Sequence, residues 1–69
     1  MKLNINDDPN FVDYLVYCND KLLDYCIEAD DIKGKAKYLV IDENGLIVFD
    51  WNDKPITKSI KDKIEFKHI

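Results

Sequence analysis

The chain has 69 residues, 32 of them apolar (46%), with 14 Asp/Glu against 10 Lys and a net charge of −4. One domain spanning residues 1–69 is all this length allows, and a chain so short buries only roughly 60% of its unfolded surface. Disorder, a membrane span of ~20 apolar residues and a disulfide-knit scaffold are excluded by this composition. There is no Arg, the side chain best suited to bidentate phosphate and guanine contacts, so nucleic acid is disfavoured as a partner.

The first residues, Met1-Lys2-Leu3-Asn4-Ile5, are not followed by the apolar core of a signal peptide, and the expectation is a cytoplasmic protein without membrane association. Leu3 and Ile5 alternate with polar neighbours, as in a short strand. Asp7-Asp8-Pro9 then reads as a helix start, an acidic cap followed by Pro at the first helical position. The pattern predicts a long helix over residues 9–29, ending before Asp30-Asp31. On a wheel at ~100° per residue, Asp13, Tyr17, Asp20, Asp24 and Glu28 share a polar stripe, while the apolar residues spread over ~200° with Asn19 in their midst. Cys18 and Cys26, ~12 Å apart along such a helix, are too distant to bridge and read as reduced core thiols.

Two apolar runs follow, residues 36–42 and 46–51, joined by Glu43-Asn44-Gly45. Asn-Gly between apolar strands is a strong hairpin signal. One face of this hairpin carries Leu39, Ile41, Ile47, Phe49 and Trp51, the other Tyr38, Val40, Leu46 and Val48. A sheet with one wet face alternates apolar and polar residues; this one is apolar on both sides. In the last segment Ile56, Ile60 and Ile64 recur at helical spacing, but Ile64, Phe66 and His68 alternate like a strand. We expect a helical turn near 57–62 and a strand over 63–68. No repeat, linker or low-complexity tract is recognised. The expected fold is therefore α+β: one long N-terminal helix packed on a small antiparallel sheet built around the hairpin, completed by a C-terminal strand or short helix.

The residues for chemistry are few. His68 is the one histidine, Thr57 and Ser59 the sole hydroxyl nucleophiles besides tyrosine, and no Gly-rich phosphate loop exists. Two cysteines and one histidine match no zinc motif. Asp50, Asn52 and Asp53 read as a polar turn, lacking the glycine and distant glutamate of a calcium loop. No enzymatic activity, metal or cofactor is expected.

Two functions are compatible with these features. The first is a non-enzymatic interaction module that forms a homodimer, or binds another protein, through apolar helix and hairpin surface. Its interface candidates are Asn19, Tyr38, Val40, Leu46 and Val48, with Asn19 pairing across the axis. The second is an acidic inhibitor or nucleic-acid mimic that fills a basic groove with a helical ridge of carboxylates, Asp13, Asp20, Asp24 and Glu28, anchored by Tyr14 and Tyr17. Residues 1–31 carry a net charge of −6 and residues 32–69 a net +2 (eight acids against two Lys, then six against eight), which motivates this alternative.

Overall fold

A computed structural model describes residues 1–69. It contains seven strands and one short 3₁₀ helix: β1 (Lys2–Asn4), the 3₁₀ helix (Pro9–Asp13), β2 (Tyr14–Cys18), β3 (Lys21–Leu22), β4 (Cys26–Asp30), β5 (Lys35–Leu39), β6 (Thr57–Lys61) and β7 (Ile64–His68). All pairings are antiparallel, giving one sheet in the order β1-β4-β5-β6 and another in the order β3-β2-β7.

The long N-terminal helix does not exist, and the α+β expectation is corrected to an all-β fold. Asp8-Pro9 starts only the 3₁₀ helix, whose first bond runs from the Phe11 N–H to the Asp8 carbonyl. Tyr14-Leu15-Val16-Tyr17-Cys18 is then a run of β-branched, aromatic and bulky apolar residues, suited to a pleated surface. Asn19 and Asp20 end it. Both adopt left-handed backbone (φ 51° and 66°), the pattern of a two-residue hairpin turn, and Cys18 pairs with Lys21 across it. The apolar arc, too broad for a helix, is the two faces of successive strands laid on a wheel. β1 falls within the expected first strand, and β7 matches the expected last one. The helical turn near 57–62 is replaced by β6, and no helix in the structure is long and apolar enough to cross a membrane.

The core lies between the two sheets. Leu3, Ala29, Ala36 and Ile60 stand opposite one another across all four strands of the first sheet. They meet Val16 and Cys18 of β2 and Ile64 of β7, with Phe11 closing one end. Ala29 and Ala36 leave room for the second sheet to approach. Outward alternation puts Lys2, Asp30, Lys35 and Lys61 in the next row, away from the core.

Two tight connections fix the strand ends. After β4, the Asp30 carboxylate accepts the N–H groups of Ile32 and Lys33, each at 3.0 Å, and so shapes the turn into β5. The N–H of Lys33 is the main cause that lowers the Asp30 pKa, reinforced by that of Ile32 and opposed by desolvation. Gly34, at φ +66°, accepts the Asp62 N–H through its carbonyl at 2.8 Å, tying the start of β5 to the β6–β7 corner.

A Cβ at Gly34 would stand 2.7 Å from the Asp62 carbonyl oxygen, whereas one at Gly45 (φ +80°) would meet nothing within 4 Å. Gly34→Ala is therefore expected to cost at least ~2 kcal/mol, and Gly45→Ala about 1 kcal/mol from backbone strain alone. Thermal unfolding checks the order: the first should lower Tm by roughly 8–16 °C, about twice the second.

The lowered Asp30 pKa also has a sign in acid. Its ionised form adds stability that is fully present above the ordinary carboxylate value near ~3.9 and is lost as pH falls through the lower folded value. Asp30→Asn should flatten the acid limb of the stability curve below about pH 4, measured by urea unfolding at stepped pH.

Candidate interaction surface

Between β5 and β6 the chain leaves both sheets and forms a lobe. β5 pairs with β6 along its whole length, from Lys35↔Lys61 to Leu39↔Thr57. The expected hairpin, in which residues 36–42 pair with 46–51 at the centre of the sheet, is thus corrected to a short excursion. Its turn forms where Asn44-Gly45 places it: Ile41 bridges Ile47, and the Asp42 N–H reaches the Leu46 carbonyl at 2.8 Å.

A second turn of the same design follows eight residues later. Phe49 bridges Pro55, and the Asp50 N–H bonds the Lys54 carbonyl at 2.8 Å. In the first turn Asp42 Oδ1 accepts the N–H groups of Asn44 and Leu46, both at 2.9 Å. In the second, Asp50 Oδ1 accepts those of Asn52 and Lys54, at 2.8 and 3.1 Å. The left-handed position is Gly45 in one turn and Asp53 (φ 60°) in the other. A tandem Asp-x-Asn-Gly/Asp repeat is therefore present, contrary to the expectation of none. Asp50, Asn52 and Asp53 make a polar turn, with the one Asp50 oxygen committed to backbone N–H groups.

The two turns and the β5–β6 pair meet in a ring of three backbone bonds. The Val40 N–H donates to Ile56 (2.9 Å), that of Ile56 to Val48 (2.9 Å), and that of Val48 back to Val40 (3.0 Å). Three antiparallel pairs, Leu39↔Thr57, Ile41↔Ile47 and Phe49↔Pro55, radiate from this ring. The backbone of the lobe is thereby hydrogen-bonded without a covering element, which is the condition for an isolated excursion to hold its shape.

Its side chains are only partly covered. Nine of the eighteen residues at 39–56 are large and apolar, and none is buried. Trp51 is 91% exposed, Leu46 63% and Phe49 54%. The last segment is spent on β6 and β7. Of the interface candidates, Tyr38, Val40 and Val48 are half-buried and Leu46 is exposed. Asn19 lies elsewhere, exposed in the β2–β3 turn, where its amide nitrogen bonds the Asp62 carboxylate. Its placement on a buried helical face is corrected: it has a partner within the chain and sits outside the lobe.

The acidic ridge is not assembled, because the helix that would space it is absent. Asp13 ends the 3₁₀ helix, Asp20 lies in the β2–β3 turn, and Asp24 precedes β4. Glu28, within β4, is 3.6 Å from the Lys2 amine. Tyr14 and Tyr17, three apart on one strand, point to opposite faces. Tyr14 packs edge-on against Phe66 and His68, with ring centroids 5.9 and 5.0 Å away.

Positive charge is gathered where sequence alone did not place it. The outer face of the first sheet has a concavity of about 440 Å³ bordered by Lys2, Lys33, Lys35, Lys37 and Lys61, with Glu28 and Asp30 as the acids among them. Only Lys2 of these has a carboxylate within 4 Å. Lys63, by contrast, is paired with Glu65 at 3.1 Å, which raises its pKa. No three His, Cys, Asp or Glu side chains converge in a metal-binding geometry.

Cys18 is buried and Cys26 half-buried, and both are free thiols. Burial raises the Cys26 pKa, outweighing the backbone hydrogen bonds that lower it, and its sulfur contacts the Glu28 carbonyl at 3.2 Å. Iodoacetamide at pH 8 should modify the folded protein at least about tenfold more slowly than the urea-unfolded chain, as read by mass spectrometry.

No known protein family, curated protein or solved structure matches this chain.

Proposed function

We propose that this protein is a non-enzymatic self-association module, and that the lobe at residues 39–56 packs against a second copy of the chain. The carrying observation is the lobe itself: nine large apolar side chains on an ordered backbone, five of them exposed and four half-buried. A contiguous apolar patch left open in this way marks an interaction site.

The total accessible surface supports the reading. It is 5156 Å², whereas a folded monomer of 8.1 kDa exposes about 4,500 Å² on the usual scaling. The excess of roughly 650 Å² approaches the ~800 Å² that each partner contributes to a standard interface. Trp51 and Phe49 are the aromatic type of anchor that dominates such contacts. Nothing comparable favours the acidic inhibitor, whose carboxylates no longer share a face.

Light scattering coupled to size exclusion tests the proposal. The wild-type chain should elute at twice 8.1 kDa and remain there at high salt, as an apolar contact would. Phe49→Asp should return it to the monomer mass with an unchanged far-ultraviolet circular dichroism spectrum. Trp51→Ala should weaken association by about 30-fold or more, the loss expected of a central aromatic worth ~2 kcal/mol. A wild-type monomer mass at all concentrations would refute self-association.

A further inference from the structure

The two faces of the lobe are not equivalent, and one of them continues an uninterrupted surface of the first sheet. Ala36 and Ile60 face the core, so their neighbours Lys35, Lys37 and Lys61 face outward. The same alternation carries this outer face from Lys37 through Leu39 to Ile41, with Ile47 and Phe49 on the bridged partners. At the far end stand the two turns with Asp42, Glu43, Asp50 and Asp53, four acids against the single cation Lys54. Along one direction the surface thus runs from basic, through apolar, to acidic.

Neither charged end is fully balanced within the chain: across β4–β5 Lys35 stands opposite Asp30 and Lys37 opposite Glu28, which offsets only part of the positive charge of the five lysines. Lys35 is directly opposite Lys61 across the β5–β6 pair, a like-charge juxtaposition that opposes folding. Neither has a carboxylate within 4 Å. Asp42 and Asp50 are held in place through Oδ1, and Oδ2 of each bonds nothing. The chain as a whole is acidic, with a net charge of −4, so a lysine cluster is a departure from the prevailing charge.

A surface graded in this order is complementary to itself when turned by a twofold axis. Resting on the proposed self-association, we infer that two copies pack outer face to outer face in antiparallel sense. The lysines of each, Lys35 and Lys61 foremost, then face the acidic turns of the other, with the apolar lobes in contact between them. Such an isologous contact uses one patch on both copies and closes at two. The charges at its rim fix the register and exclude the parallel arrangement, which would oppose lysine to lysine.

Charge reversal tests the register. Glu43→Lys with Asp53→Asn changes the acidic end while leaving the turn-holding Asp42 and Asp50 intact, and Asn tolerates left-handed backbone at position 53. Lys35→Glu with Lys61→Glu changes the basic end. By analytical ultracentrifugation, each double variant alone should dimerise at least about tenfold more weakly than wild type. An equimolar mixture of the two should recover at least about tenfold over the Lys35→Glu/Lys61→Glu variant alone, because one rim then joins intact lysines to an intact acidic turn and the other has shed most of the negative charge that opposes the reversed end. A wild-type dimer whose variants associate normally, or whose mixture does not recover, would overturn this register while leaving self-association standing. A wild-type monomer would remove both.

Discussion

A chain of 69 residues can close one small core, and this one closes it on the row Leu3, Ala29, Ala36 and Ile60. The two alanines matter because they occupy so little depth. With larger side chains at the centre of the first sheet, β2 and β7 could not approach closely enough for Val16, Cys18 and Ile64 to bury themselves against it. The same economy leaves no room for the remaining apolar residues. Those of the β5–β6 excursion are pushed outside, and their exposure follows from the size of the core.

The abundance of aspartate has a structural explanation that composition conceals. Asp8, Asp30, Asp42, Asp50 and Asp62 each direct a carboxylate oxygen to a nearby backbone N–H. A fold of short strands has many turns and few backbone partners for them, and Asp supplies the missing acceptors. Much of the acidity that suggested a docking ridge is the chemistry of turning the chain. The outward lysines then stand as the counter-charge that these turns do not use.

The sequence was legible where local rules decide the conformation. Leu3 and Ile5 marked β1, the alternation of Ile64, Phe66 and His68 marked β7, and Asn44-Gly45 marked a turn. The helix was misread because a cap signal at Asp8-Pro9 serves a 3₁₀ turn equally well, and the apolar run beyond it fits either period. Two signs point the other way: an apolar arc of ~200° and Asn19 inside it, which with Asp20 forms the β2–β3 turn. For the interaction surface, the doubly apolar character of residues 38–51 was readable, since alternation needs no tertiary knowledge. The charge gradient was not. It depends on β5 pairing with β6 across separations of 18 (Leu39 with Thr57) to 26 residues (Lys35 with Lys61), and such pairings are set by the whole fold.

The hydrogen-bonded ring of Val40, Val48 and Ile56 has a consequence for how this lobe can change over generations. Each member gives one bond and receives one within the ring, so the circuit is complete at three. Adding one eight-residue unit would require a circuit of four with different angles between its arms, and removing one would leave an ordinary two-stranded hairpin. Lobe length is thus quantised: gains and losses of single residues fall at the turn tips, whereas whole units are held at their present number by the geometry of closure.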